Sequence, residues 1–483
     1  MQHNKDKKFL SEISDYCKNT PLLLKVFSNL LGQFDLRYIN KLFSDTKIRG
    51  VKGSEIFQTL FGLRFLDFNN IHQLMQSGIS KELGHKKDVF YDFINNQKVN
   101  WRSIMGLFFK QAYALITAKS VDNEPNKPRC LIVDDTLLEK SGKTIEQIGK
   151  VFDHSTHRYQ LGMKLLTLGF SDGKSFMPVD FSLHHEQGKN KKRGMKQKEL
   201  DVQFTKNRDL HTPGYQRQSE VSQDKITVAL QMIKCSLGKW FKVDYVLADS
   251  WFICEKFILG IQNISNKLNI IGLIKINRIV VVNGKSYKAD KIPDINRKKT
   301  QYSNKFKCHF ISLKMSCKGI EMRGYWIKMK GQNNWNLLIS TNDKLTFIKA
   351  MEYYKIRWSI EVFFKDCKQN LGLNNCQSKD LDAHIATISI VFMNYIVLAL
   401  KKRFEDYETL GILFRNVKEI ILQQTIVERI WTIMLSLFDS VFAKMGVDWQ
   451  RFIQTLIHSQ DEIAAQINKT FETLFSNQDK QTA

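Results

Sequence analysis

Four residues that could act in phosphate chemistry share one side of a segment predicted to be helical. In the stretch YYKIRWSIEVFFKDCK (353–368), Tyr354 is followed by Arg357, Glu361 and Lys368. At about 100° per residue these four side chains fall within an arc of about 60°, and apolar residues occupy the opposite side. Such a row surrounds a carboxylate with two cations and a phenol, a set that can bind a metal ion and neutralise phosphate.

Further carboxylates precede this helix, at the predicted ends of two apolar strands. Asp134 and Asp135 close the run CLIVDD, and Asp249 closes VDYVLAD. Open α/β sheets place their sites at the carboxyl ends of strands. Three carboxylates can hold two divalent metal ions about 3.5–4 Å apart, which activate a water and stabilise the leaving oxygen of a phosphodiester. Mg²⁺ prefers oxygen ligands, so a three-acid set suits it.

The helix also has a purely structural interpretation. Many amphipathic helices carry charge pairs such as Arg357 with Glu361 on a solvated face, each worth about 0.2–0.5 kcal/mol. The aromatic residues on this face and the two upstream aspartate motifs favour a site instead.

The surrounding elements alternate in a way that is typical of an α/β protein. The apolar runs MKLLTLGF and FMPVDFSLH flank SDGK as a hairpin, and Asn283-Gly284 predicts a second one. The predicted regions are a helical N-terminal region (1–125), an α/β core in two parts (126–278 and 341–405), a β-rich insertion (279–340) and a helical C-terminal region (406–483).

The motifs LIVDDT and VLADSWF, with the spacing Tyr354-(2)-Arg357-(3)-Glu361-(6)-Lys368, resemble the DDE transposases of bacterial insertion sequences. The likeness is to the large group with a Tyr-Arg-Glu-Lys signature, and it covers the two core parts and the insertion. It implies an RNase H-like mixed sheet with a β-rich insertion before the last acid. The expected fold class is therefore α/β, flanked by N- and C-terminal helical regions.

The resemblance also implies a catalytic and metal-binding triad of Asp135, Asp249 and Glu361. The triad would hold two Mg²⁺ ions, with Mn²⁺ as the alternative ion. Asp134 competes for the first place, because neighbouring strand residues point to opposite faces of a sheet. The family pattern favours Asp135, the aspartate directly before Thr136.

The same resemblance assigns DNA contacts. Tyr354, Arg357 and Lys368 would contact phosphates and the terminal nucleotides of the element. Trp358 would either stack on an unpaired base or pack in the core.

Weaker motifs lie outside the signature. Lys191, Lys192 and Arg193 belong to the basic stretch GKNKKRGMKQKE, which we expect to contact phosphate, although a solvated linker is the alternative. His184 and His185 are predicted to be structural or loop residues, since no second cluster of metal ligands matches them. Two insertion tryptophans, Trp326 and Trp335, could flank DNA, but strand tryptophans more often fill a core.

Charge supports a polyanionic partner. The chain has 73 Lys and Arg against 48 Asp and Glu, a formal net charge of +25. A field of that sign concentrates polyanions, of which nucleic acid is the commonest, and a basic membrane-surface protein is the alternative.

The remaining composition points to a cytoplasmic protein. The eight cysteines include no CxxC or CxxxC pair, which argues for reduced thiols and against a zinc site. The N-terminus lacks the apolar stretch of a signal peptide. The apolar window 385–400 is 16 residues long and contains Thr387, Ser389 and Asn394, so we predict a buried core helix and no membrane partner.

The implied function is a transposase that cuts the ends of an insertion sequence and joins the freed 3′-hydroxyls to target DNA. Its partners would be double-stranded DNA and a second copy of itself, in the bacterial cytoplasm at the nucleoid. An apolar C-terminal stripe (Val427, Ile430, Met434, Leu437, Phe438 and Val441) could pair subunits or fill the core. The alternatives are a metal-dependent nuclease without strand transfer and a domesticated or inactive DNA-binding protein.

Overall fold

The computed structural model describes residues 31–46, 49–77, 80, 83–119, 127–153, 156–188, 190–238, 240–405 and 407–423. Contacts divide the chain into a unit of Leu23–Glu419 and a unit that combines Met1–Leu22 with Ile420–Ala483. The elements named below belong to the first unit. The predicted C-terminal stripe lies outside the described residues.

One mixed sheet runs through this unit and contains all twelve strands of the described residues. The strands are β1 (Cys130–Glu139), β2 (Gly149–Asp153), β3 (Arg158–Ser171), β4 (Phe176–His184), β5 (Tyr245–Ala248), β6 (Asn269–Ile274), β7 (Ile279–Val282), β8 (Lys285–Lys288), β9 (Gln301–Ser303), β10 (Cys308–Cys317), β11 (Ile320–Met329) and β12 (Asn336–Ser340).

Helices precede, cover and follow the sheet strands in the chain. They are α1 (Arg37–Thr46), α2 (Gly53–Gly62), α3 (Ile71–Gln76), α4 (Lys87–Ile94), α5 (Trp101–Lys119), α6 (Gln197–Asp201), α7 (Pro213–Glu220), α8 (Lys225–Ser236), α9 (Glu255–Ile264), α10 (Ile292–Ile295), α11 (Phe347–Lys355), α12 (Trp358–Gln369) and α13 (Leu381–Phe404).

Five strands form the centre, in the order β4-β3-β1-β5-β6. β3 is antiparallel to both β1 and β4, whereas β1, β5 and β6 are parallel. β4 is buried along its whole length, and β1 is buried over its apolar first half, Cys130 to Val133, as expected for strands that are covered on both faces. This order and these directions are the RNase H-like arrangement, so the predicted fold class is confirmed.

The predicted β-rich region continues the same sheet. β12 pairs antiparallel with β6, and β11, β10, β7 and β8 follow outward. The β7–β8 hairpin turns at Asn283 and Gly284, whose φ angles are 52° and 75°. Two positive φ angles in a two-residue loop are the requirement of a type I′ turn, which is why Asn-Gly predicts this hairpin.

Helix α13 occupies the interior of the unit. It is the one described helix that is long and apolar enough to cross a membrane, but 94% of its apolar window is buried inside the protein. The prediction of a core helix in place of a membrane span is confirmed for this segment.

The N-terminal helices are held together by aromatic packing. Phe43 lies 5.1 Å from Phe57 and 5.3 Å from Phe93 between ring centroids, and Trp101 closes the group at 5.8 Å from Phe93. Such contacts add about 0.5–1.5 kcal/mol per pair beyond the buried area. Helix α5, which begins with Trp101, packs against β4.

A buried ionic cluster fixes the start of α13 against the loop that follows β1. The guanidinium of Arg208 bonds Glu146 at 2.6 Å, Asp382 at 3.1 Å and Asp380 at 3.2 Å, and its side chain is fully buried. Lys206 reaches Asp380 and Asp382 at 2.7 and 2.8 Å. The two cations therefore pair with three carboxylates that are far from solvent.

Removal of the central cation should be costly. We expect Arg208→Met to lower the free energy of unfolding by about 3–5 kcal/mol, because it leaves buried carboxylates without their partner. Chemical denaturation measures this loss. Arg37→Met, which removes an exposed pair with Asp35, is the matched control and should change stability little. Equal stability of the two variants would contradict the role of the cluster.

Candidate active site

The register of two parallel strands brings two aspartates together. The pairing of β1 with β5 ends at Val133 opposite Ala248, so Asp134 and Asp249 follow at the same level. Side chains at the same level of adjacent parallel strands project from the same face. β1 itself continues beyond the aspartates to Glu139 and stays paired with β3. The strand end predicted at the aspartates is therefore only the point where the parallel pairing with β5 stops.

The signature segment is two helices, which corrects the prediction of one continuous helix. α11 ends at Lys355 and α12 begins at Trp358, while Ile356 and Arg357 keep helical φ and ψ angles. The backbone N–H groups of Ile356 and Arg357 bond three residues back instead of four. A 3₁₀ stretch of this kind inside a helical segment often marks a functional hinge.

Arg357 lies at that junction and joins two carboxylates. Its Nη1 is 3.0 Å from Asp134 Oδ2, and its Nη2 is 2.6 Å from Glu361 Oε1. The arginine side chain is 14% exposed, Asp134 is 17% exposed and Glu361 is 34% exposed. The guanidinium therefore connects the signature helix to the central strand in a mostly buried place.

Asp134 carries the clearest electrostatic perturbation at the site. Burial raises the pKa of its carboxyl to about 7, and the negative charge of Asp249 adds to the rise. Arg357 and the backbone N–H of Asp135, 2.8 Å from Asp134 Oδ1, oppose that rise. A carboxyl shifted by burial and by a neighbouring carboxylate is common at functional sites.

Asp135 points to the other face of β1, away from the Arg357 bridge. Its carboxylate is 2.5 Å from Lys225 Nζ and 3.5 Å from Lys164 Nζ. Successive strand residues alternate between faces, so only one of the pair can join Asp249. The structure places Asp134, and not Asp135, beside Arg357 and Glu361.

The other signature residues, Lys368 and Tyr354, lie on the face of β1 that carries Asp134. Lys368 Nζ donates to Thr136 Oγ1 at 2.8 Å, and Thr136 shares its face of β1 with Asp134. Burial lowers the pKa of Lys368. Tyr354 has the Arg357 guanidinium 5.8 Å from its ring centre, and burial raises the pKa of its phenol.

Trp358 begins α12 and is 61% exposed. Of the two interpretations given by the sequence, a packing role does not fit this exposure. Its indole is open to a partner beside the Arg357 junction.

The basic stretch divides into two kinds of residue. Lys191 and Lys192 are exposed. Arg193 is half-buried and donates to Gln147 Oε1 at 3.2 Å and to Gln203 Oε1 at 2.8 Å. Arg193 therefore holds its loop in place, while contact with phosphate stays a prediction for this stretch.

The two histidines lie at the end of β4, where His184 is the last strand residue and His185 follows it, in keeping with the predicted structural or loop role. His184 is buried with its Nε2 2.6 Å from Ser182 Oγ, and burial, aided by the charge of Lys225, lowers its pKa to about 4. Burial also lowers the pKa of His185. Among the insertion tryptophans, Trp326 is a core residue whose Nε1 donates to the Ala289 carbonyl at 2.8 Å, and Trp335 is half-buried.

The carboxylates suit a divalent ion in their chemistry. Asp134, Asp249 and Glu361 offer the oxygen ligands that Mg²⁺ takes, and Asp249 adds a second negative charge near Asp134 that a cation would offset. In this structure the Arg357 guanidinium provides that cation between Asp134 and Glu361. The described residues contain no group of three side chains already arranged as metal ligands.

Sequence reasoning missed three residues around the site. Lys164 and Lys225 hold Asp135, and nothing in the spacing of 90 residues between Asp135 and Lys225 signals their contact. Trp251, two residues after Asp249, lies with its ring centre 4.0 Å from Lys225 Nζ. Its position inside the motif VLADSWF was the available signal.

Comparison with known families covers both parts of this site. A model described as DDE superfamily endonuclease matches residues 76–291, and one described as Transposase DDE domain matches residues 219–397. The first includes both candidate aspartates of β1, the second includes Glu361, and Asp249 lies in both. These matches support a DDE transposase.

Similarity to individual proteins is distant. No curated protein matches the sequence. A cryo-EM structure of piggyBac transposase, in a synaptic complex with hairpin DNA, is similar with a TM-score of 0.42 and 14% sequence identity. The match covers 86% of this chain and 83% of that one.

The buried His184 predicts a stability that depends on pH in the acid range. Its pKa is about 4 in the folded protein and about 6.5 in the unfolded chain, so the unfolded chain binds the proton first as the pH falls. The contribution of His184 to the free energy of unfolding should therefore decrease between pH 7 and 5, by about 2 kcal/mol at pH 5.

Denaturation of variants at both pH values measures this contribution. His184→Gln should lose that part of the pH dependence, and His72→Gln, at an exposed position on α3, should keep it. An unchanged slope in His184→Gln would contradict the assignment.

Proposed function

We propose that this protein is a DNA transposase that cuts the ends of an insertion sequence and joins them to target DNA. The observation that carries the proposal is the Arg357 bridge between Asp134 and Glu361, with Asp249 beside Asp134. The two family matches support the same class of protein.

The proposed acid triad is Asp134, Asp249 and Glu361, with Asp134 in place of the Asp135 that the sequence pattern favours. These carboxylates would hold Mg²⁺, or Mn²⁺, which would activate water and stabilise the leaving 3′-oxygen. We propose two ions, as expected from the sequence. Asp249 is fixed for this role because its Oδ1 accepts the backbone N–H of Trp251 at 2.9 Å.

Arg357 is suited to hold the scissile phosphate. Its guanidinium presents paired N–H donors, which bind phosphate oxygens in a bidentate manner. Its present partners are the two carboxylates, so it can exchange them for phosphate without leaving the site. The 3₁₀ junction at Ile356 and Arg357 is where such an adjustment would occur.

Three other residues of the signature segment would contact the DNA end. Lys368 supplies a second cation on the Asp134 side of β1, and Tyr354 supplies a phenol next to Arg357. The exposed Trp358 would stack on a base. A net charge of +25 would draw DNA toward all of them.

The reaction we propose has two phosphoryl transfers. Water attacks the phosphorus at the element end and releases a 3′-hydroxyl; this hydroxyl then attacks a phosphorus of target DNA and displaces its 3′-oxygen. Both ends must be processed together, so we propose a homodimer. The inverted repeats would be bound through the N-terminal helical region, and the protein would act at the bacterial nucleoid in the cytoplasm.

Neutralisation of each aspartate of β1 tests the triad. With end DNA and Mg²⁺, Asp134→Asn should cut DNA at least about 100-fold more slowly, because even a residue that merely supports a metal ligand is worth about 10- to 100-fold. It should not destabilise the protein at pH 8, since it removes repulsion with Asp249. Strand-cleavage kinetics and chemical denaturation give the two readings.

Asp135→Asn is the matched variant and should behave differently. It should lower the free energy of unfolding by about 1–3 kcal/mol, because Lys225 and Lys164 lose their charged partner. Its loss of cleavage should be the smaller of the two. A larger loss in Asp135→Asn would restore Asp135 to the triad, and cleavage without any joined donor–target product would favour a nuclease.

A further inference from the structure

Trp251 is a half-exposed tryptophan next to the proposed active site, and the mechanism proposed above gives it no role. Trp251 is 51% exposed and lies two residues after Asp249. Trp240, another exposed tryptophan, packs among Phe241 at 5.3 Å and Tyr113 at 5.7 Å in a ring cluster. Trp251 has one ring neighbour, Phe252, at 4.8 Å and 76°, among the described residues.

The backbone of Trp251 is tied directly to an acid of the triad. Its N–H donates to Asp249 Oδ1 at 2.9 Å, and the N–H of Phe252 points to the same oxygen at 3.4 Å. Any group bound on the indole is therefore placed at a fixed position relative to the Asp249 carboxylate.

The side chain of Trp251 is also held in place, because it contacts a lysine that is itself paired with Asp135. Lys225 Nζ lies 4.0 Å from the indole centre, within cation–π range, and 2.5 Å from Asp135 Oδ2. The Lys225 side chain is only 17% exposed. The chain Asp135–Lys225–Trp251 thus orders an exposed ring before any ligand arrives, which lowers the entropic cost of binding.

We propose that Trp251 is a stacking surface for a nucleobase of the DNA strand at the active site, with Lys225 and Asp135 as its positioning residues. The proposal rests on the proposed function, because a phosphodiester held at Asp249 brings the base of its own nucleotide near residue 251. Flat aromatic rings bind bases of any identity through their π-faces. This arrangement gives a separate task to each aspartate of β1, since Asp134 joins the acids and Asp135 holds the platform.

Fluorescence of 2-aminopurine tests the stacking independently of catalysis. The probe is a set of duplexes that carry the DNA flanking this gene, each with one 2-aminopurine near the cut position. Full-length protein with Glu361→Gln would be used, so that the DNA stays uncut. We expect the fluorescence to fall at one position on binding, and to stay high when Trp251→Ala is added.

Affinity and rescue complete the test. Trp251→Ala should weaken end binding about 5- to 150-fold, Trp251→Phe should recover part of the loss, and Lys225→Met should weaken binding less than Trp251→Ala. Trp240→Phe is the matched control and should bind like the parent protein. Thermal unfolding of each variant checks that the fold is retained.

The outcomes separate this proposal from the proposed function. Normal end binding and quenching in Trp251→Ala would overturn the stacking role, even if wild-type protein cuts DNA. Quenching that depends on Trp251 in a protein that never cuts DNA would keep the stacking role and reject the transposase. Absence of DNA binding by the parent protein would overturn both.

Discussion

Repulsion between two half-buried carboxylates, Asp134 and Asp249, is the constraint that the surrounding structure must satisfy. The sheet register sets Asp134 beside Asp249, and burial with this like charge raises the Asp134 pKa to about 7. Arg357 relieves part of the repulsion and brings Glu361 with it. In the proposed function, this negative charge would favour a bound cation, and Arg357 would contact phosphate.

The two faces of β1 present different residues to different neighbours. One face presents Asp134 and Thr136 to the signature helices, and the other presents Asp135 to Lys164 and Lys225. Strand alternation makes this division unavoidable for adjacent residues. An Asp-Asp pair on a central strand therefore supplies one acid to the site and one anchor behind it.

Local patterns predicted the elements well, because strands, hairpin turns and the core helix depend on nearby residues. The Asn283-Gly284 turn is an example. The features that local patterns did not predict depend on tertiary contacts. The face taken by Asp134 depends on pairing with β5, the junction at Ile356 breaks a helix whose periodicity continues across it, and the contact between Asp135 and Lys225 joins positions 90 residues apart.

Excision in cells tests whether the carboxylate of Glu361 is catalytic. A plasmid would carry the gene with its native flanking DNA, in wild-type form or with one of two Glu→Gln changes. Glu361→Gln removes the helix carboxylate bound to Arg357, and Glu352→Gln alters an exposed residue of α11 that pairs with Lys305. We predict excision by the wild type and by Glu352→Gln, and none by Glu361→Gln at equal protein level. Excision by Glu361→Gln at the wild-type rate would contradict the account.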